Sequence, residues 1–159
     1  MKALSLWQPW ASAVSLGHKR FETRSWTTSY RGPLAIHAAK TFPREAKEFA
    51  MTERALGRCP ARLPFGCIVA TVDLTDIVRT EDVAWIREGI MPPEMAIERL
   101  YGDYSPGRFA WTMDNVRALE KPIWYPGRQG LFEIPDALLV ARGQLGLFDV
   151  PDEVLRVNG

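Results

Sequence analysis

Gly17 divides two periodicities that cannot belong to one element. Behind Pro9, residues Trp10, Ala11, Val14 and Ser15 fall on one helical face. A proline, which has no amide hydrogen, suits the first turn of such a helix. Gly17 is placed to end it as a left-handed C-cap. Past the glycine, Arg20 to Trp26 alternates: Phe21, Thr23 and Ser25 lie on one side, Arg20, Glu22, Arg24 and Trp26 on the other. The apolar stretch Ala3 to Trp7 reads as a strand ahead of the helix. Strand, short helix and strand in such quick succession commit the chain to a mixed α+β fold.

The alternation also gives the segment chemistry. Glu22 and Arg24 share a face, and Lys19 sits in the turn before the strand, free to swing toward either side. Trp7, Trp10 and Trp26 flank this charged row. Aromatic planes beside guanidinium and ammonium groups are what unpaired bases need for stacking and phosphate contact. Two plainer readings compete. The row is a solvated strand face, or Glu22 and Arg24 form a buried bidentate ion pair that fixes the geometry of the fold.

The rest of the chain supplies more strands and a core. Leu34 to Ala38 is a strand, with His37 on the side opposite Leu34 and Ile36, the place of a hydrogen-bonded wall residue. Thr41 is placed to cap a helix whose first turn holds Pro43 and whose buried stripe is Ala46, Phe49, Ala50 and Leu56, with Gly57 at its end. Cys67 to Leu74 reads as a central strand that continues through Ile77 and Val78 with a bend at Asp76. Thr80 caps a short helix, and a second follows Pro92 and Pro93 to about Leu100. This stretch, roughly 80 to 106, reads as an insertion over the sheet, with Glu94 and Glu98 on a wet helical side. Gly107 to Met113 is a strand with Phe109 and Trp111 on one face. Asp114 and Asn115 form a turn or bulge, Val116 to Ile123 is a further strand demoted to an edge by Pro122, and Leu131 to Ile134 closes the sheet.

Composition narrows the function classes. The 159 residues carry twenty basic and nineteen acidic side chains, a net charge of +1, which argues against general polyanion coating but not against a local basic cleft. No apolar run approaches the 18 or so residues of a membrane span, and Trp7-Gln8-Pro9 interrupts any signal-peptide core. Cys59 and Cys67 lack a C-x-x-C spacing or a neighbouring histidine, so no metal site and no cofactor is expected, and both thiols read as reduced in a cytoplasmic protein.

The pattern G-x-K-x-x-E-x-R at Gly17 to Arg24, behind L-S-x-W-Q-P-W-A and ahead of Arg31-Gly32-Pro33, resembles the ASCH domain, a member of the PUA-like group of small β-barrels. The likeness runs from about Leu4 to about Pro135. It implies a PUA-like barrel of five or six strands with flanking helices over residues 1–136, followed by a C-terminal extension, 137–159. It also implies binding of RNA or of a modified nucleoside. In that reading Trp7 or Trp26 stacks on a base, Gln8 reads its edge, and Arg24 and Arg31 together with Lys19 hold phosphate or a base edge. The alternative is an enzyme, an N4-acetylcytidine amidohydrolase or a ribonuclease, with Lys19 as base or nucleophile and Glu22 as proton shuttle. The acetylcytidine hydrolases carry threonine where this chain has Glu22.

The extension repeats Gly127 to Asp136 as Gly143 to Asp152. Within the repeat, Gln144, Leu145, Leu147 and Phe148 spell Q-L-x-L-F, which resembles the peptide by which bacterial polymerases and repair proteins dock on the sliding clamp. Leu147 and Phe148 would be its apolar anchors.

Overall fold

A computed structural model describes residues 1–140. Six strands form one sheet in the order β2-β5-β4-β3-β1-β6, curled into a half-barrel with helices on its flanks. These are β1 (Lys2–Leu6), β2 (Phe21–Arg24), β3 (Gly32–Ala38), β4 (Cys67–Arg79), β5 (Phe109–Trp124) and β6 (Leu131–Glu133). β1 and β3 run parallel, Lys2 opposite Leu34 through Leu6 opposite Ala38, and the remaining pairs are antiparallel. Among the described residues no helix is long and apolar enough to cross a membrane.

The curl follows from interrupted registers. β4 and β5 are long, and their pairing shifts between Ile68 and Ala70, Thr71 and Asp73, and Leu74 and Asp76. Such bulges bend a strand and raise its twist. The last lies at the bend read at Asp76. Asn115 lies in the shift between Thr71 and Asp73, where β5 has one residue more than β4, and takes a φ of 50°, a conformation that asparagine tolerates better than most residues. It absorbs the extra residue, so 109–124 is one continuous strand and not two strands around a turn. Pro122 lies in the half of β5 beyond the reach of β2, on an edge where a missing amide costs little.

The first helix, α1 (Trp10–Ser15), sits against β3, β4 and β5 and buries Ala11, Ser12, Ala13 and Val14. Gly17 ends it at φ 76°, its amide on the Val14 carbonyl and the His18 amide on that of Ala13. Leu4, Leu6, Leu34, Ile36, Val72 and Trp111 join α1 in the main core. A second cluster, including Ala35, Ile68, Ile123 and Phe132, lies on the opposite face of the sheet.

Helix α2 (Arg44–Ala55) departs from its expected start and stripe. It begins after Pro43 with no side-chain cap, so Thr41 does not cap it. Leu56 is exposed, and the buried stripe reads Ala46, Ala50 and Glu53. Glu53 is tolerated inside because Arg58 grips its carboxylate with two bonds of 2.8 Å and the Tyr101 hydroxyl donates to it at 2.5 Å. Those partners hold its carboxyl below the usual glutamate range.

Between β4 and β5 lie a short turn of helix, Thr80–Asp82, then α3 (Ala84–Arg87) and α4 (Met95–Tyr101). Thr80 does not cap either; it is buried, and its hydroxyl donates to the Ser105 carbonyl. Glu94 is exposed, but Glu98 faces inward and is 3% exposed. Its carboxylate accepts the amides of Arg20 (2.6 Å) and Phe21 (3.2 Å) and the Tyr104 hydroxyl. A short helix, α5 (Ala137–Val140), follows β6. The Q-L-x-L-F peptide of Gln144, Leu145, Leu147 and Phe148 lies outside the described residues.

Candidate functional site

The end of β1, the start of α1, β2 and the segment after α4 enclose a cleft of about 500 Å3. Its apolar wall includes Leu6, Trp7, Trp10, Leu100 and Tyr101, and its polar groups are Ser5, Glu22, Thr23, Arg24, Asp103 and Arg108. The volume falls in the range of about 300–1,000 Å3 usual for small-molecule sites. Glu22 and Arg24 do share a face, as the strand period requires: Arg24 Nε lies 2.9 Å from Glu22 Oε1. The contact is one of charges more than an aligned hydrogen bond. Arg24 Nη2 donates to the Ser5 carbonyl at 2.8 Å, which ties β2 to the end of β1.

Lys19 lies behind this surface and does not swing. It is 1% exposed, and its Nζ donates to the carbonyls of Phe21 (2.5 Å) and Tyr101 (2.9 Å) and stands 3.4 Å from Glu22 Oε2. The cause is the helix end: Lys19's own amide bonds the Ala13 carbonyl, so the turn folds back against α1. Lys19 does not line the cleft; it holds Glu22 and Tyr101, which do.

The far wall is anchored in layers. Trp10 stacks on Phe49 at 5.4 Å, and Phe49 meets Tyr101 edge-on at 5.5 Å. Asp103 donates its amide to Thr23 Oγ1 at 3.0 Å, while Arg108 donates to the Thr23 carbonyl and lies 3.3 Å from the Asp103 carboxylate. Hydrogen bonds from Ser105 keep the Asp103 carboxyl below its ordinary range.

A second cleft of about 710 Å3 adjoins the first, sharing Ser5, Trp7 and Arg24 with it. His37 is on its floor. His37 Nε2 faces the Tyr125 carbonyl at 2.9 Å, which can only accept, so Nε2 carries the proton and Nδ1 accepts from the Ser5 hydroxyl at 3.0 Å. Burial lowers the His37 pKa and keeps the ring neutral at pH 7. Among the described residues no group of three or more His, Cys, Asp or Glu side chains gathers where it could hold a metal.

The residues singled out from sequence divide accordingly. Trp7, half exposed, lines both clefts; Glu22 and Arg24 line the first, and Arg24 the second as well. Trp26 lies beyond the end of β2, borders the second cleft, and packs edge-on against Trp111 at 4.7 Å. Gln8 is fully buried and turned away: its amide donates to the Pro64 carbonyl, and its oxygen accepts the Ser12 amide at the start of α1. Arg31 lines neither cleft; it donates to the carbonyls of Thr28 and Tyr30. Sequence reasoning missed Tyr101, Asp103 and Arg108, whose places depend on the fold of the inserted segment, and Lys40 and Arg128 in the second cleft. The Arg128 loop, Pro126 to Gly130, is rich in proline and glycine, but nothing local ties it to β1.

The sequence matches the ASCH domain family over residues 4–123. Over 79 residues it is 44% identical to activating signal cointegrator 1 of Homo sapiens and 43% identical to that of Mus musculus; each match covers 46% of this chain and 14% of the relative. The chain thus matches only about a seventh of the length of these curated relatives. The crystal structure of ASCH from Zymomonas mobilis superposes with a TM-score of 0.52 at 16% identity, covering 88% of this chain and 93% of that one. A tyrosine-to-phenylalanine variant of it gives 0.54 at 15%, covering 91% and 96%. At such identities the likeness concerns the fold alone.

Proposed function

The chain belongs to the ASCH domain family, a PUA-like family associated with RNA, and from that premise we propose that the cleft between β2 and α4 binds a nucleobase, presented by single-stranded RNA or by a nucleotide. The observation that carries this reading is the pairing of an exposed indole, Trp7, with fixed donors and acceptors at one mouth. Glu22 and Asp103 offer carboxylate acceptors, and Arg24 and Arg108 offer guanidinium donors. A base is flat, apolar on its faces and lined with donors and acceptors on its edge, so it matches both halves of that set. Glu22 is held by Lys19 and Arg24 without needing its whole acceptor capacity. Lys19 serves here as a positioning residue. Its ammonium, enclosed by two carbonyls and Glu22, has no open path to a ligand atom, and that favours binding over hydrolysis.

The test is binding of short single-stranded RNAs and nucleosides to the full chain and to Trp7→Ala. Trp7 is 50% exposed, so its truncation should leave the fold intact, with the melting temperature as control. Stacking on one aromatic contributes about 1–3 kcal/mol, so affinity should fall roughly tenfold or more. Unchanged affinity in Trp7→Ala would remove this cleft from the reading.

A further inference from the structure

The second cleft differs from the first in charge. The first mixes Glu22 and Asp103 with Arg24 and Arg108. The second is lined by Arg24, Lys40 and Arg128, with no aspartate or glutamate among its lining residues. In a chain of net charge +1 this is a local segregation and not a general excess. A cleft walled by cations of one sign concentrates the field it presents to an anion.

The cations are also available. Lys40 and Arg128 are both exposed and form no ion pair among the described residues. The Lys40 ammonium rests over the Trp124 ring, 5.6 Å from its centre, a contact readily exchanged for an anion. Arg24 spends one edge on Glu22 and Ser5 and still borders both clefts. The Arg128 loop is seated by a glycine: a Cβ on Gly127 would come within 2.8 Å of His37 Nδ1 and 3.0 Å of Ser5 Oγ. Only Gly127 lets the loop sit this close to the floor, which brings Arg128 to the same cleft as Arg24 and Lys40.

We infer that the second cleft is a phosphate site, and that it takes the phosphate monoester or diester of the same ligand whose base enters the first cleft. The inference rests on the base-binding reading above. Shared walls support the link, because Trp7 and Arg24 border both clefts, so a base and its own phosphate can occupy them together. Guanidinium groups match phosphate oxygens in pairs, and an ammonium adds a point charge. The ligand class is therefore a nucleotide or a single strand, not a free nucleoside.

The experiment is calorimetric titration of the full chain, at low salt, with the four ribonucleosides, their 3′- and 5′-monophosphates, and inorganic phosphate. The same set is run on the double variant Lys40→Ala/Arg128→Ala, whose two sites are exposed and whose melting temperature serves as a folding control. A monophosphate should bind at least about tenfold tighter than its nucleoside, as charge-assisted bonds would give. In the double variant that advantage should disappear while nucleoside affinity stays. Nucleosides binding as tightly as monophosphates, or an advantage that survives the double variant, would overturn the phosphate site and leave the base cleft standing. Inorganic phosphate binding as tightly as any monophosphate would show a free-anion site unconnected to the base, and would also overturn it. If neither nucleosides, nucleotides nor short oligonucleotides bind, the base-binding reading fails and this inference fails with it.

Discussion

Replacing Glu22 by alanine takes the counterion from an ammonium that is 1% exposed. Breaking a buried pair by removing one partner costs about 3–5 kcal/mol, because the surviving charge stays buried. Two features reduce the figure here. Lys19 Nζ keeps the Phe21 and Tyr101 carbonyls as acceptors, and Arg24, about a quarter exposed, can turn to water. The expected loss is therefore roughly 2–3 kcal/mol, or a fall of about 4–12 °C in melting temperature for a chain this size. Lys19→Met should also destabilise, since it leaves those two carbonyls unpaired at about 1–3 kcal/mol each. The double variant Lys19→Met/Glu22→Ala has no stranded charge, so its loss should be at least about 1 kcal/mol smaller than the sum of the single losses. Urea titrations of the four proteins measure all of these. Single losses that add to within about 0.5 kcal/mol, or a Glu22→Ala melting point equal to wild type, would refute the argument that Lys19 depends on Glu22.

Glu98→Ala strips the carboxylate acceptor from the Arg20 and Phe21 amides and should lower stability by roughly 2–3 kcal/mol; a melting point unchanged from wild type would show that water replaces it freely. Gly127→Ala pushes the loop off His37 and Ser5, at about 1–3 kcal/mol if it stays in place; monophosphate binding should weaken more than nucleoside binding, and an equal loss for both would contradict the loop's role. His37 is held below its ordinary 6.5 by burial, so the unfolded chain binds the proton more readily and stability declines as pH falls below 6.5 toward the folded value; His37→Gln should flatten that part of the denaturation-midpoint profile, and an unaltered profile would mean other groups set it.

The parts of the site legible in the sequence were those set by local period. The break at Gly17 and the shared face of Glu22 and Arg24 follow from the switch between helical and strand spacing, and both are present. The six-strand sheet was within reach for the same reason, together with the G-x-K-x-x-E-x-R resemblance. What escaped was set by distant partners. Glu98 reads as a solvent-facing helix residue because nothing near it in sequence is a donor; its partners are amides at Arg20 and Phe21. Glu53 takes the third place of the α2 stripe, ahead of Leu56, because Arg58 and Tyr101 neutralise it, and no hydrophobicity scale could rank it so. The base-binding reading gave Gln8 the edge of a base, yet its side chain is buried and engaged within the fold. The start of α1 needed an acceptor after Pro9, and the Gln8 side chain supplies it.

The motif between Gly17 and Arg24 thus serves two purposes in its two halves. Lys19 and the amides of Arg20 and Phe21 face the inserted segment, where they bind the Tyr101 carbonyl and the Glu98 carboxylate. Glu22 and Arg24 face the cleft. The insertion is accordingly a wall of the site and not a cover over a finished barrel, because Tyr101, Gly102 and Asp103 take their positions from those ties. Substituting Lys19 should release both Glu22 and the Tyr101 wall, so it should abolish ligand binding without Lys19 ever touching the ligand. Loss of function in Lys19→Ala alone therefore does not identify a catalytic lysine. Trp7, which is half exposed and borders the cleft, separates contact from support. If Trp7→Ala keeps the wild-type melting point and loses binding while Lys19→Ala loses both, the motif divides between structure and recognition as the geometry divides it.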